Sequence, residues 1–155
     1  MVKDEKDLRE KMEDSIRRAG VFIEYMSSMN KAGIPDWYVA SGGVAAWVEL
    51  KFAGLLSSAA SRGALDHRFT GPQRRFLRDN AQRGCLSLGC IGFTVPSDKP
   101  HDFRVALLPW HQLGMEEERR GQVSVDAILG AKTQCLWSSD GPEWFRDQIA
   151  QGQLK

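Results

Sequence analysis

The stretch GIPDWYVASGGVAAWVELK, residues 33–51, decides the fold, because it has the pattern of two strands around a tight turn. Gly42 and Gly43 form a two-residue hairpin loop, since glycine tolerates the positive φ that such turns require. With these two residues as the loop, Ser41 pairs with Val44, and this pairing fixes the register of the whole hairpin.

This register assigns the two faces of the hairpin and predicts that Asp36 lies directly opposite Glu49. One face is wholly apolar and consists of Trp37, Val39, Val44, Ala46, Val48 and Leu50. The other carries Asp36, Tyr38, Ala45, Trp47, Glu49 and Lys51, because side chains alternate along a strand. We expect Tyr38 and Trp47 to pack in the core, with a wall of the site or a contact to a base as the alternative.

Asp36 and Glu49 are like charges in cross-strand contact, which is destabilising unless a cation lies between them or one stays protonated. Lys51 is two residues beyond Glu49 on the same face, within reach of a phosphoryl group. Two carboxylates and a lysine fit an Mg²⁺ site for phosphodiester hydrolysis. The alternative is a surface hairpin in which Lys51 simply pairs with both acids.

Outside the hairpin, the chain alternates helical and extended patterns. Residues 4–19 form an amphipathic helix, residues 21–26 a strand and residues 70–83 a second helix. Strands follow at 85–95 and 103–110, residues 123–129 could be either type, and residues 142–150 form a closing helix. This order predicts the α/β class with a mixed sheet.

The second helix begins with a capping box, because Gln73 stands three residues after Thr70, and Pro72 suits its first turn. Gln73 therefore has a local structural role, and a role beside the acids is not excluded by it. Residues 62–83 hold six arginines against two aspartates although the net charge of the chain is only +1. Phosphate binding through Arg68, Arg74, Arg75 and Arg78 is one interpretation, and a solvated helix face is the other.

Length and composition predict one globular domain spanning 1–155, with a core at about 4–110 and a C-terminal extension at about 111–155. The three cysteines show no zinc spacing and favour free thiols in a reducing compartment. The charged N-terminus is not a signal peptide, and no apolar run is long enough for a membrane helix. We therefore expect a cytoplasmic protein that does not contact membranes.

Gly33, Pro35 and Asp36, then Glu49 and Lys51, then Thr70, Gln73 and Gly84 stand in an order that resembles the PD-(D/E)xK nuclease superfamily. Within it, the chain looks like the VRR-NUC and Holliday-junction-resolvase-like branch that is common in phages. The resemblance implies a restriction-endonuclease-like core of order αβββαβ. It covers about residues 4–95, and the segment between Lys51 and Gln73 is longer than the family pattern.

The resemblance also implies chemistry: a metal-dependent endonuclease with Mg²⁺ or Mn²⁺, acting on DNA and on branched DNA, as a homodimer. It assigns catalysis to Asp36, Glu49, Lys51 and Gln73, and metal binding to Asp36, Glu49 and a glutamate of the first helix. That glutamate is Glu5 or Glu13: Glu5 lies on the apolar stripe of the helix, and Glu13 borders it. A non-catalytic nucleic-acid-binding module on the same fold is the alternative function.

Overall fold

The computed structural model describes residues 1–26, 32–56, 69–116 and 119–154. Its helices are α1 (Glu5–Arg18), α2 (Gly71–Gln82), α3 (Val125–Leu129) and α4 (Gly141–Gln151). Its strands are β1 (Phe22–Tyr25), β2 (Trp37–Ser41), β3 (Val44–Leu55), β4 (Leu86–Thr94), β5 (Arg104–Pro109) and β6 (Gln134–Leu136). A single 3-10 turn at Trp110–Gln112 follows β5.

The β2–β3 hairpin has the register that the sequence predicts, with Ser41 opposite Val44 and Trp37 opposite Val48. Gly42 and Gly43 have φ values of 58° and 80°, as a primed turn requires. β3 continues to Leu55, beyond the predicted end at residue 51, because its second half pairs with β4. The hairpin is therefore the fixed reference for the rest of the sheet.

The six strands of the described chain form one mixed sheet in sequential order from β1 to β6. Neighbouring strands are antiparallel except β3 and β4, which run parallel. Since α2 lies between these two strands in sequence, it supplies the crossover that a parallel pair needs. The predicted mixed α/β class is confirmed.

Two apolar clusters cover the two faces of the sheet. The first contains Leu8, Met12 and Ile16 of α1, Phe145 and Ile149 of α4, and the predicted apolar hairpin face, of which Trp37, Val39, Ala46, Val48 and Leu50 are buried. The second contains Leu77 of α2, Val125 and Ile128 of α3, and Ile91 and Phe93 of β4. The molecule thus has three layers, with α1 and α4 on one side of the sheet and α2 and α3 on the other.

Local signals set the helix ends. Asp4 caps α1 by accepting a hydrogen bond from the backbone N–H of Asp7, and Thr70 caps α2 in the predicted capping box with Gln73. Residues 123–129, which fit either type, form α3 because Ser124 caps the N-terminus of this helix. Strand β6 was not predicted: three half-buried residues show no periodicity, and their pairing with β5 alone defines them.

None of the helices in the described ranges is both long enough and apolar enough to cross a membrane. The C-terminal residues belong to the same layers as the rest: β6 extends the sheet, and α4 packs on the α1 side.

Candidate active site

Asp36 lies immediately before β2, at the end of the hairpin away from the turn. Its Oδ2 accepts a hydrogen bond of 2.9 Å from the backbone N–H of Leu50. Burial raises the pKa of Asp36, opposed by that hydrogen bond and by the positive charges of Lys51 and Arg9. The carboxylate is therefore anchored to β3 by the backbone.

The observed register is the predicted one and leads to Asp36 and Glu49 at the open end of the hairpin, but the paired positions stop one step earlier. Strand pairing ends at Trp37 and Val48, so strand alternation does not hold the side chain of Asp36. This side chain instead turns to the α1 side and lines a cavity together with residues of that helix. The two acids remain neighbours at the end of the sheet, because the charges of Asp36 and of Glu5 both raise the pKa of Glu49.

Glu49 is on β3 with only 2% of its surface exposed. Burial and the negative charge of Asp36 raise the pKa of Glu49 to about 8, although Lys51 acts in the opposite direction. Its Oε1 accepts a hydrogen bond from Gln73 Nε2 and lies 3.2 Å from Lys51 Nζ. Its Oε2 is buried and has no hydrogen-bond partner among the described residues.

Lys51 is also buried, at 8% exposure, and its ammonium lies 5.6 Å from the centre of the Phe69 ring. The aromatic side chain and Glu49 together hold the ammonium at one place at the end of β3. The alternative of a surface hairpin does not fit, because both Glu49 and Lys51 are buried. Tyr38 and Trp47 are half-buried and pack edge to face with each other, and Trp47 also packs edge to face with Phe76 of α2. Trp47 packs against the apolar cluster on the α2 side, as expected, whereas Tyr38 belongs to neither core cluster.

Gln73 completes the predicted capping box and also contacts Glu49. Its Oε1 accepts from the backbone N–H of Thr70 at 2.8 Å, which completes the capping box, while its Nε2 donates to Glu49. The first turn of α2 therefore orients the carboxylate of Glu49.

Gly33 explains how α2 comes to lie against the loop that carries Asp36. It has a φ of +92°, and a Cβ at this position would lie 2.5 Å from the backbone C and O atoms of Pro72. Only glycine allows both this conformation and this approach. The contact fixes the beginning of α2, and with it Gln73, next to the entry into β2.

Helix α1 brings Glu5 rather than Glu13 to the cavity of Asp36. Glu13 Oε1 accepts a 2.8 Å hydrogen bond from Nε1 of the buried Trp37, so this carboxylate has a structural partner. Within the described ranges, no group of three or more His, Cys, Asp or Glu side chains lies close enough together to hold a metal ion. A metal at Asp36 and Glu49 would thus complete its shell with water and phosphate oxygens, as Mg²⁺ commonly does.

The arginines of α2 differ in exposure. Arg75 and Arg78 are exposed, and Arg78 forms a 3.0 Å ion pair with Asp79. Arg74 is half-buried, and its Nε has no hydrogen-bond partner among the described residues. Arg68 lies outside the described residues. Phosphate binding by this group stays a prediction, and Arg75 and Arg78 are the members whose exposure suits it best.

Arg9 was not among the site residues predicted from the sequence, yet it lines the same cavity as Asp36 and Glu5. A signal was present: Glu5, Arg9 and Glu13 are spaced four residues apart and so form one row along α1. The row contains one cation between two acids, which is the feature that could have revealed Arg9.

Comparison with known proteins agrees with this architecture. The chain is similar to the solved structure of Hjc from Archaeoglobus fulgidus, a Holliday junction resolvase of an archaeal hyperthermophile. The TM-score is 0.50, and the match covers 83% of this chain and 92% of that one. The chain has a resolvase-like fold. This confirms the restriction-endonuclease-like architecture expected from the sequence, and at 14% identity the likeness concerns the fold alone. No model of a known protein family and no curated protein sequence matches this chain.

Proposed function

We propose that this chain is a divalent-metal-dependent endonuclease that hydrolyses phosphodiester bonds of DNA. The observation that carries the proposal is the buried carboxylate of Glu49. Its Oε2 has no hydrogen-bond partner among the described residues, and the negative charge of Asp36 raises the pKa of Glu49. A buried carboxylate oxygen without a donor is costly, and a cation shared with Asp36 would satisfy it.

The donor set fits Mg²⁺ or Mn²⁺, which prefer oxygen ligands. Asp36 and Glu49 would be the protein ligands. Glu5, which lines the cavity of Asp36, is the proposed third acid and would act on the ion through one of the waters that complete its shell. When bound, the ion would supply Lewis-acid polarisation of the scissile phosphate and acidify water.

The side chains around the two acids have separate tasks. Lys51 offers a fixed positive charge for the attacking water and for the charge that develops on the phosphoryl group. Gln73 holds the carboxylate of Glu49 in one orientation, and the backbone N–H of Leu50 does the same for Asp36. All of these groups belong to the end of the hairpin and the first turn of α2, which are rigid elements.

Branched DNA is the proposed preferred substrate, since the structural neighbour is a Holliday junction resolvase. The order of the GIPD, ELK and Thr70–Gln73 motifs supports the narrower proposal of a VRR-NUC or resolvase-like enzyme of phage type. A homodimer would match the two symmetric strands of a four-way junction.

The direct test is cleavage of a substrate panel by the wild-type protein. Single strand, duplex, flap and four-way junction are incubated with Mg²⁺, with Mn²⁺ and with EDTA, and the products are resolved on denaturing gels. We expect metal-dependent nicks that are absent with EDTA and most frequent on the junction. Tight DNA binding without cleavage under every metal condition would instead identify a non-catalytic binding module.

Metal binding is tested apart from activity by thermal unfolding. A ligand that binds only the native state raises the Tm, so millimolar Mg²⁺ or Mn²⁺ should stabilise the wild-type protein. Asp36→Asn keeps the acceptor for the Leu50 N–H but loses the charge, and its Tm should not respond. A wild-type Tm that is the same with metal and with EDTA would contradict the metal site.

A further inference from the structure

A polar cavity of about 210 Å³ lies on the α1 side of the end of the sheet. It is lined by Glu5, Lys6, Arg9, Tyr25, Asp36 and Leu50. Asp36 is a proposed metal ligand and Glu5 is the proposed third acid, whereas Arg9 and Lys6 are cations that the proposed mechanism does not use. We propose that Arg9, assisted by Lys6, binds the backbone phosphate next to the scissile phosphodiester. This inference rests on the proposed function and adds a substrate subsite to it.

Arg9 is held in place before any substrate binds. The carbon of its guanidinium lies 3.7 Å from the centre of the Tyr25 ring, a close cation–π contact that restrains the position of the group. Its Nη1 lies 3.6 Å from Glu13 Oε1, beyond hydrogen-bond distance, and that oxygen already accepts from Trp37 Nε1. The fork of N–H donors therefore retains its capacity to bind an anion, in a position restrained by two neighbours.

Lys6 is one turn earlier on the same helix and reaches the mouth of the cavity. Its side chain is 75% exposed, and its 4.0 Å ion pair with Glu10 is a weak surface contact. The ammonium can leave that contact for a phosphate at little cost. For a bound phosphate, Arg9 therefore provides a cation in a fixed position, and Lys6 provides a cation that can adjust its position.

The charges around the site explain why such a subsite is needed. A DNA strand that approaches Asp36 from the α1 side also meets Glu5, and both acids repel its phosphates. Lys51 and Arg9 both place positive charge near Asp36, but Lys51 is buried and ion-paired with Glu49. Arg9 and Lys6 are the cations that line this cavity, so the phosphate beside the scissile one has its counter-charges there.

The test combines protein variants with neutralised phosphates. Affinity is measured by fluorescence anisotropy in Ca²⁺, on a set of DNAs that each carry one methylphosphonate, moved stepwise along the bound strand. On unmodified DNA, Arg9→Gln should bind about 10-fold more weakly, the scale of one charge-assisted contact. On DNA neutralised at the contacted phosphate, the variant and the wild type should differ by less than about 2-fold, because the interaction is already lost.

One further variant serves as a control, and another tests the subsite independently of Arg9. Arg17→Gln removes an exposed arginine of the last turn of α1, paired with Asp14, and should bind every substrate like the wild type. Lys6→Gln changes an exposed side chain that cannot disturb the core. It should show the same position-dependent pattern as Arg9→Gln at about 3-fold, and so tests the subsite even if Arg9→Gln does not fold.

The outcomes separate this inference from the proposed function. A loss that is equal at every phosphonate position would overturn the subsite and make Arg9 a structural counter-ion of Glu13 and Asp36. Position-dependent coupling without cleavage in Mg²⁺ would support the subsite and contradict the nuclease. Failure of the wild type to bind any of the DNAs would contradict both.

Discussion

Asp36 and Glu49 are two carboxylates at the same end of one hairpin, but they differ in burial and in hydrogen-bond partners. Asp36 is half-buried, is anchored by a backbone N–H and faces a cavity on the α1 side. Glu49 is fully buried and is held by two side chains, Lys51 and Gln73, on the α2 side. The difference shows that the site is built from both layers of helices: α1 adds a row of charges, and α2 adds a neutral amide.

The largest expected effect is the loss of cleavage when either carboxylate loses its charge, because both are proposed metal ligands despite their different surroundings. Asp36→Asn and Glu49→Gln keep size and hydrogen-bonding shape, so the fold should persist while both should cut more than about 10²-fold more slowly than the wild type. That bound is the upper end of losses at residues that only support a metal ligand. Single-turnover cleavage in Mg²⁺ measures the rate, and circular dichroism confirms folding.

Glu24→Gln is the matched control, because Glu24 is an exposed acid on β1. It should cut at the wild-type rate. Normal cleavage by the purified Asp36→Asn or Glu49→Gln protein would refute the assignment of these two acids.

A substitution of Lys51 tests whether the ammonium beside Glu49 acts in the chemical step. Lys51→Met keeps the length of the side chain and loses the charge. If the ammonium stabilises charge in the transition state, kcat should fall on the order of 10²-fold, while the metal-dependent rise of the Tm should remain. Parallel measurement of kcat, KM for DNA and the Tm with and without Mg²⁺ distinguishes the roles. A defect confined to KM would make Lys51 a binding residue or a counter-ion of the acids.

Gln73 allows its two roles to be separated. Gln73→Glu keeps the oxygen that accepts from Thr70 but replaces the amide donor with a second negative charge beside Glu49. Activity should fall about 10- to 100-fold, the cost of losing an outer partner of a metal ligand. Thr70→Ala removes the cap and should cost about 1 kcal/mol of stability with little effect on cleavage. Urea unfolding and cleavage rates of both variants check this, and the reverse pattern would mean that Gln73 only caps the helix.

The parts of the site that follow from local rules could be predicted from the sequence. The Gly42-Gly43 turn sets the hairpin register, and the Thr70–Gln73 pair sets the start of α2, so Glu49, Lys51 and Gln73 were placed correctly. The turn of Asp36 to the α1 side could not be predicted, because the strand ends one residue later and tertiary contacts decide the side chain. The same holds for Arg9 on Tyr25, since stacking between a helix and a strand leaves no periodic signal.

The lengths of the strands show the same difference between features set by local residues and features set by tertiary contacts. Residues 52–55 contain a glycine and lie beyond the predicted end of the hairpin at residue 51. They nevertheless extend β3, because β4 pairs beside them across a register shift between Phe52 and Gly54. β6 is likewise defined by its neighbour. Elements whose ends are set by capping or turn residues can be predicted from the sequence, whereas elements that depend on pairing with a distant strand cannot.

The last prediction concerns the stability of the metal-free protein between pH 5 and 9, where no cleavage takes place. Burial and Asp36 raise the pKa of Glu49 in the folded protein to about 8, from an ordinary value of 4.5, although Lys51 acts against the shift. Between these values the folded state keeps a proton that the unfolded chain has released. The free energy of unfolding in EDTA should therefore be highest near pH 5 and fall as the pH rises through 8. The raised pKa of Asp36 acts in the same direction. Glu49→Gln has no proton to lose at this position, so its stability should change less over the range, whereas Glu24→Gln should follow the wild type. Urea unfolding in EDTA at each pH measures the three slopes. An identical pH dependence of wild type and Glu49→Gln would show that Glu49 is already ionised at pH 5, and the difference in environment between the two carboxylates would then have no energetic consequence without metal.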